Sequence, residues 1–438
     1  MIDKVGKGAS GTAVTVDNGS AGAAARTTPA GLAAPAGSAT ATVVRPEVLA
    51  DGAAALAVAH ALAPVLRAGA SERDRHRLTP QPELDEIAAS GLLGITVPRA
   101  FGGAGVSHEV LAEVMRTLAE ADPSVAQTLL PHFVLVGALS GLGSEDQQNF
   151  FLPAVLAGTR FGNAVSERGT KHAWDPQSRI VDDPAGGYRL SGRKYYATGS
   201  LTAPWMAVAA KNQQGELVLA FVPTDSDGLE LTDDWTAFGQ RATISGSAIL
   251  DSVHVRADHV LPIWRAFTGP TLAGAFDQLL HTAIDVGIAR DALDDAVSFV
   301  TTRSRPWFES DADRAADEPE VIFRAGQLAV RVYAAEALLR NAAAVLDETA
   351  SAPLTDESTA RASIAVASAK AVGGEVSTEV ASALFELAGT SATDDQHNLG
   401  RHWRNARTHS VHDPVRWKYH HIGNYVLNGV NPPRHPLI

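Results

Sequence analysis

One short stretch near the end of the chain is dense in side chains that could do acid–base chemistry. It has the sequence RNARTHSVHDP and spans Arg404 to Pro414. In a helix, His409, His412 and Asp413 would stand at positions i, i+3 and i+4 and would share one face. A histidine pair beside a carboxylate can take up and release protons near neutrality, because an unperturbed imidazole has a pKa of about 6.5.

This polar face has three interpretations. A polar helix face most often points to solvent. The trio could also bind a metal, but it lacks the glutamate arrangement of a zinc-hydrolase helix, so we predict no metal here. The third interpretation is a face that lines a cavity, and the flanking aromatic residues Trp403, Trp417 and Tyr425 favour it because they indicate a packed segment.

Small polar residues form a second candidate group in the middle of the chain. FGNAVSERGTKH contains Asn163 and Ser166, GRKYYATGS contains Thr198, and DDWTAFGQRATISGS contains Trp235. Such amide and hydroxyl groups can hydrogen-bond a flat heterocycle, although they are also ordinary turn residues, and a tryptophan is more often core than a cofactor wall. The sequence has no P-loop, no G-x-S-x-G elbow and no glycine-rich phosphate loop after a strand, which excludes classical dinucleotide-binding and α/β-hydrolase proteins.

The elements that must position these residues fall into blocks. Helical periodicity covers residues 45–158, short glycine-punctuated runs over 159–268 predict a small antiparallel β-domain, and long helical segments over 269–438 predict a four-helix bundle. Residues 1–44 are rich in alanine, glycine, serine and threonine, and we predict a disordered, dispensable tail. The predicted fold class is therefore α+β.

Composition narrows the functional classes. The 438 residues carry a net charge of −13 and contain no cysteine. The negative charge argues against nucleic-acid binding, and the lack of thiols excludes disulfides, iron–sulfur clusters and thiolate catalysis. Since we find neither a secretory signal nor an apolar run near the ~20 residues of a membrane span, we expect a cytoplasmic protein without membrane contact.

From residue 45 to the end, the chain resembles the acyl-CoA dehydrogenase superfamily. LSGRKYYATGS and FGQRATISGSAILDSVHVRADHVL resemble strands of its β-domain. RHWRNARTHSVHDPVRWK, SERGTKH, RSRPWFE and KYHHIGNYVLNG resemble a narrower group, the reduced-flavin-dependent monooxygenases of sulfur metabolism. That group includes dibenzothiophene monooxygenases and sulfur-acquisition oxidoreductases. The resemblance implies helices, then a β-domain, then a bundle, assembled as a homotetramer.

The resemblance also implies a reaction. A partner flavin reductase would supply reduced FMN, O2 would add to it as a flavin peroxide, and an organosulfur compound would be oxygenated. His409, His412, Thr198, Asn163 and Asp413 would be catalytic. Residues that would bind the flavin are Asn163, Ser166, Thr198, Trp235, Arg404, His409 and His412. FMN is favoured over FAD, because RSRPW and AGTS replace the dehydrogenases' arginine–Phe-Gly segment and Gly-Gly-x-Gly turn.

Departures from the family pattern leave alternatives open. Gln127 stands where dibenzothiophene monooxygenases have a pocket histidine and Pro131 where they have a tyrosine, while His132 remains; with Trp235 these would line the substrate pocket. Asp413 falls near the position of the dehydrogenases' catalytic glutamate, and nitroalkane oxidase uses an aspartate as its base. A dehydrogenase or nitroalkane-oxidase-like enzyme with Asp413 as base is therefore one alternative, and a non-catalytic flavin-binding protein is another.

Overall fold

The computed structural model describes residues 46–172 and 175–438, so the predicted tail over residues 1–44 lies outside the described residues. Helices make up the first part. Side chains cap several of them: Asp51 accepts a hydrogen bond from the Ala54 N–H, and Ser107 and Asp122 cap the third and fourth helices in the same way. The helices are α1 (Gly52–His76), α2 (Gln81–Ala89), α3 (His108–Ala121), α4 (Pro123–Leu142) and α5 (Glu145–Leu156).

The middle part is a sheet with the strand order β6-β7-β3-β2-β4-β5-β8, and β1 pairs with β4. Most neighbours are antiparallel as predicted, but β1 and β2 run parallel to β4, which corrects the prediction of a purely antiparallel domain. Parallel pairing needs a long crossover, and the β2–β3 hairpin supplies it between β1 and β4. The strands are β1 (Phe161–Ala164), β2 (Arg179–Asp182), β3 (Tyr188–Lys194), β4 (Trp205–Lys211), β5 (Leu217–Pro223), β6 (Leu229–Thr232), β7 (Ser247–Val255) and β8 (Val260–Leu261).

Long helices form the last part, in the predicted order. They are α6 (Ala273–Thr302), α7 (Pro319–Ala350) and α8 (Asp356–Ala388), followed by the shorter α9 (Gly400–Ser410) and α10 (Val415–Asn428). Helix α6 is central, since α3, α4, α7, α8 and α9 all pack against it. The predicted α+β order of helical domain, β-domain and helical bundle is confirmed.

Helix α6 departs from the usual amphipathic pattern. It buries apolar residues on most sides, and in the same helix it buries the polar side chains of Gln278, His281, Asp285 and Asp291. Buried polar groups are costly unless they find partners, so each must be paired within the bundle. Their partners come from α1, α8, α9 and α10, and the candidate site lies where α8, α9 and α10 meet α6.

Helices α1 and α4 are long and apolar enough to span a membrane by length and composition, which the sequence analysis did not anticipate. Most of the apolar window of α4 is buried among the other helices. Helix α1 contributes Ala55, Ala59, Leu62 and Leu66 to the same core. Core helices of soluble proteins meet this criterion as well, so it gives little support to a membrane span.

Candidate active site

His409, near the end of α9, is the centre of a buried polar cluster. Its Nδ1 lies 2.6 Å from Asp285 Oδ1 on α6, and Asp285 Oδ2 accepts a hydrogen bond of 2.6 Å from Lys370 Nζ on α8. All three side chains are almost completely buried. Burial lowers the pKa of His409, and Lys370 and His412 act in the same direction, whereas Asp285 opposes them. The uncharged form of the imidazole is therefore favoured, and the Asp285 carboxylate orients the ring.

The other ring nitrogen of His409 faces two further side chains. Its Nε2 lies 3.1 Å from Gln127 Oε1 on α4 and 3.1 Å from His281 Nδ1 on α6. The ring of His281 lies against the ring of His412, with 4.1 Å between centroids and 31° between the planes, and the His412 side chain is 41% exposed. Burial lowers the pKa of His281 well below its usual value. The cluster therefore extends from the interior to a solvent-accessible histidine.

The chain leaves the helix before His412, which corrects one premise of the sequence analysis. Helix α9 ends at Ser410, and residues 411–414 form a turn before α10. Pro414 disfavours helical backbone at Asp413, so His409, His412 and Asp413 do not share one helical face. His412 still joins the cluster, because the turn folds its ring onto His281.

Asp413 occupies an ion pair rather than an open position. Its Oδ2 lies 2.8 Å from Lys418 Nζ, and both side chains are buried. Burial opposes ionisation, but His412, Lys370 and Lys418 together hold the pKa of the Asp413 carboxyl far below its usual range. A carboxylate with so low a proton affinity is a poor base for a carbon acid, so its surroundings do not support the catalytic role predicted for Asp413.

The β-domain contacts α9 through a chain of hydroxyl groups. Thr198 Oγ1 lies 2.8 Å from Ser245 Oγ, which lies 2.8 Å from Thr243 Oγ1, and Thr243 donates to the Gln240 carbonyl. The Gln240 N–H in turn donates to Asn405 Oδ1 on α9 over 2.7 Å. Thr198 is thus linked to the helix that carries His409, although the two residues lie far apart in the sequence.

Glycine permits the close approach of these two parts. A Cβ atom at Gly239 would lie 1.9 Å from the Arg404 carbonyl oxygen and 2.7 Å from Thr408 Oγ1. Either distance is too short for a real side chain, so only glycine lets residues 239–240 lie directly against α9. The position of α9 relative to the β-domain therefore depends on this residue.

The remaining residues predicted to bind a cofactor have different surroundings. The Asn163 N–H donates to the Thr198 carbonyl, which places Asn163 beside the hydroxyl chain. Trp235 is half-buried and donates from Nε1 to the Gln240 carbonyl. The guanidinium of Arg404 is paired with Asp74 and with Asn398, so it is engaged by protein groups. Ser166 lies just after β1 and accepts a backbone hydrogen bond from Tyr195.

The predicted substrate-pocket residues separate into two groups. Gln127 contacts His409 directly, and Pro131 lies one turn further along α4, where it has no N–H to donate to the Gln127 carbonyl. His132 is a core residue instead. Its Nε2 bonds the Leu93 carbonyl and its Nδ1 accepts from the Phe161 N–H, so both ring nitrogens have protein partners. These contacts do not support its predicted place in the substrate pocket.

Five residues of α6 and α8 at this site were not predicted from the sequence, namely Asp277, Gln278, His281, Asp285 and Lys370. Burial raises the pKa of Asp277 to about 6, and Gln278 accepts a hydrogen bond of 2.9 Å from Lys418. A histidine and an aspartate four residues apart within the mostly apolar run 279–289 were the available signal.

A second cluster of titratable groups lies between α6 and α9. Asp291, Asp295 and His402 are close enough to share a metal ion. Arg401 lies 2.8 Å from Asp295, however, and Arg67 is hydrogen-bonded to Asp291. These arginines already balance the carboxylates, so we assign the cluster to helix packing.

Comparison with known proteins agrees with this architecture. Family models described as acyl-CoA dehydrogenase N-terminal, middle and C-terminal domains match residues 19–159, 163–253 and 279–417. A dibenzothiophene monooxygenase from Rhodococcus erythropolis is 33% identical over 404 residues, which are 89% of this chain and 96% of the relative. A probable FMNH2-dependent monooxygenase, SfnC, from Pseudomonas putida is 31% identical over 387 residues, 86% of this chain and 96% of SfnC.

A solved structure is similar over nearly the same length. FMN-bound TdsC from Paenibacillus sp. A11-2 superposes with a TM-score of 0.84 at 32% identity, covering 88% of this chain and 100% of TdsC. The chain belongs to the acyl-CoA dehydrogenase superfamily. Within it, the chain is an oxidoreductase of the flavin-dependent monooxygenase branch. These relatives also support FMN as the cofactor.

The site offers groups that a flavin could use. Among the described residues, buried polar atoms without a protein hydrogen bond include Asn163 Oδ1, both amide atoms of Gln240 and the Thr408 hydroxyl. Gln240 and Thr408 belong to the contact between the β-domain and α9, and Asn163 lies beside Thr198. Buried polar atoms of this kind need a ligand or water. Because an isoalloxazine edge carries both donors and acceptors, the residues present fit the cofactor.

Proposed function

We propose that this protein is one component of a two-component monooxygenase that takes reduced FMN from a separate flavin reductase and oxygenates an organosulfur compound for sulfur acquisition. The observation that carries the proposal is the buried cluster around His409 beside the unpaired polar atoms of the β-domain contact. The dibenzothiophene monooxygenase relative supports sulfur as the oxidised atom. FAD is less favoured, since TdsC is FMN-bound and SfnC is described as FMNH2-dependent.

The proposed reaction places one oxygen atom of O2 on a sulfur lone pair and releases the other as water. This step needs two electrons and two protons, and bound reduced FMN would supply the electrons. Asn163, Gln240 and Thr408 would hold the flavin through their unpaired polar atoms, and Thr198 would add a hydroxyl from the same contact. Enclosure between the β-domain and α9 would exclude water, which limits the unproductive release of hydrogen peroxide.

His409 and His412 would deliver the protons that the reaction consumes. A histidine with a pKa below its usual value is neutral at pH 7 and passes a proton on readily once it receives one. His412 is exposed enough to exchange protons with solvent and lies against His281, the direct neighbour of His409. Gln127 would face the substrate beside His409.

Isotope labelling tests the proposal. The protein would be supplied with FMN, a flavin reductase with NADH, and 18O2, together with an aromatic thioether, a dialkyl sulfoxide or an alkanesulfinate. We expect one 18O atom per product molecule by mass spectrometry, and loss of product with more hydrogen peroxide in His409→Gln. Failure of wild-type protein to oxygenate any organosulfur compound, with nitrogen compounds oxygenated instead, would assign the chemistry to nitrogen.

Two alternatives predict different outcomes. An enzyme that uses Asp413 as a base would reduce bound FAD with an acyl-CoA or a nitroalkane in the absence of O2. The pairing of Asp413 with Lys418 argues against it. A non-catalytic flavin-binding protein would bind FMN tightly without turnover. In that case the substitution His412→Ala would leave its behaviour unchanged.

We further propose a cytoplasmic homotetramer. Helix α7 exposes the large apolar side chains of Ile322, Phe323, Val330 and Tyr333, and α10 exposes Val426 and Leu427. Exposed apolar residues at this density are typical of protein–protein interfaces. Light scattering after size-exclusion chromatography would give the mass of the assembly, and a monomer at micromolar concentration would contradict this part of the proposal.

A further inference from the structure

A buried line of charged groups joins three helices behind His409. Lys370 of α8 donates to Asp285 of α6, and Asp285 is bonded to His409 of α9, with both contacts at 2.6 Å. Lys370 and Asp285 lie far from His409 in the sequence and belong to helices whose buried residues are mostly apolar or small. Burying an ion pair is expensive, and such pairs do not usually improve stability over an apolar pair of similar volume. The line therefore calls for a role beyond holding the helices together.

The geometry determines which nitrogen of His409 carries the proton. An ionised carboxylate only accepts hydrogen bonds, so Asp285 Oδ1 must accept one from the His409 Nδ1–H. Burial disfavours ionisation of Asp285, but Lys370 and His409 outweigh it and hold its pKa below the usual value. The neutral imidazole then has its proton on Nδ1 and its lone pair on Nε2. The lone pair is on the side of Gln127 and His281.

Lys370 balances the charge of Asp285. An unbalanced carboxylate would favour the imidazolium form of His409 and would keep its proton in place. The charged or titratable groups that face His409 are Asp285 and His281 from α6, Lys370 from α8, and His412 from the turn after α9. Gln127 from α4 is neutral, and rotation of its amide can present either oxygen or NH2 to Nε2. Both protonation states of Nε2 therefore have a partner.

We infer that Asp285 and Lys370 are positioning residues, which fix the proton of His409 on Nδ1 and leave Nε2 as the atom that exchanges protons at the site. The assignment of Nε2 to proton exchange during turnover rests on the proposed function. The fixed tautomer does not, because it follows from the contacts of the protein alone.

The tautomer can be measured on the protein without flavin. Protein labelled with 15N-histidine would be studied by solid-state NMR, and subtraction of the spectrum of His409→Gln would isolate the ring nitrogens of His409. At pH 7.5 we expect a protonated Nδ1 and an unprotonated Nε2 in wild-type protein. In Asp285→Asn we expect a mixture of tautomers or the opposite one. An unchanged His409 signal in a folded Asp285→Asn protein would overturn the inference.

A matched control separates positioning from packing. Asp295 lies on the same helix and pairs with His402 of α9 at 2.8 Å, so Asp295→Asn removes a carboxylate–histidine contact between the same two helices. It should leave the His409 signal unchanged. If Asp285→Asn alone does not fold, the double variant Asp285→Asn/Lys370→Met removes the pair without leaving a buried charge. The loss of the fixed tautomer should then appear in the double variant.

Measurement of turnover is the second test of the positioning role. Asp285→Asn should lower the product formed per reduced FMN by about 100-fold, the order of a general acid–base contribution. In the His409→Gln background the same substitution should cause no further loss. A further loss there would mean that Asp285 acts other than through His409, which would overturn the positioning role. If wild-type protein oxygenates nothing, the proposed function fails, and the NMR result still decides the tautomer.

Discussion

Asp413, in the turn that also carries His412, forms a buried ion pair with Lys418 of α10, with 2.8 Å between Nζ and Oδ2. Lys418 also donates to Gln278 and to the carbonyl of Leu437, so it joins α10 to α6 and to the end of the chain. Asp413 thus fixes a cation that holds three segments together. The pair explains why a carboxylate is needed here without assigning it a catalytic role.

Removal of Asp413 should therefore affect stability first. Asp413→Asn leaves the buried charge of Lys418 without its counterion, and we expect a loss of about 3–5 kcal/mol in the free energy of unfolding, measured with urea. Asp258→Asn is the control, because it removes an exposed pair with Arg256 and should cost less than about 1 kcal/mol. An Asp413→Asn protein that is as stable as wild type but inactive would instead indicate a chemical role.

The two predicted histidines should differ in their effect on catalysis. His409→Gln should reduce oxygenated product per reduced FMN by about 100-fold, because it removes the buried proton carrier, and hydrogen peroxide should rise in proportion. His412→Gln should have a smaller effect, since solvent can replace an exposed side chain. His420→Gln, on the exposed side of α10, serves as the control. Equal losses in all three variants would contradict the assignment of His409.

Acid should destabilise the protein through His132. Burial lowers the pKa of His132 to about 4, whereas an unfolded histidine has a pKa of about 6.5. The unfolded chain therefore takes up this proton first as the pH falls. The stability that His132 contributes is complete above about pH 6.5 and disappears as the pH approaches 4, which amounts to about 3 kcal/mol.

The variant His132→Gln should show this component directly. Its free energy of unfolding, measured with urea at pH 7.5, 5.5 and 4.5, should fall less steeply with acid than that of wild type. It should also be lower at pH 7.5, because the hydrogen bonds to Leu93 and Phe161 are lost. His60→Gln on the surface of α1 should keep the wild-type pH dependence. A wild-type slope in His132→Gln would show that other groups cause the acid sensitivity.

Flavin binding should depend on Gly239. The variant Gly239→Ala would place a Cβ atom against the Arg404 carbonyl and so push the segment away from α9. We expect the Kd for reduced FMN to rise at least about tenfold, measured by anaerobic titration. Gly141→Ala is the matched control, because open space surrounds Gly141 within α4, and it should be neutral or stabilising by up to about 1 kcal/mol. Unchanged FMN affinity in Gly239→Ala would place the cofactor elsewhere.

The sequence by itself determined the order of the three parts, because helical and strand periodicity are local properties. It also indicated His409, since a polar segment between aromatic residues stood out in an alanine-rich chain. It did not determine the boundary at Ser410, where Pro414 ends the helical pattern earlier than the spacing of His409, His412 and Asp413 suggested.

Only the tertiary structure decided what surrounds His409. Asp285 and Lys370 are each one of several charged residues in long helices, and nothing local distinguishes a buried charge from a surface one. Their partners lie on different helices, so the pairing depends on how α6, α8 and α9 pack. The same holds for His132, which the sequence placed in a pocket and the fold placed in the core. Side-chain chemistry can be read along the chain, but burial and partnership are set by contacts between distant segments.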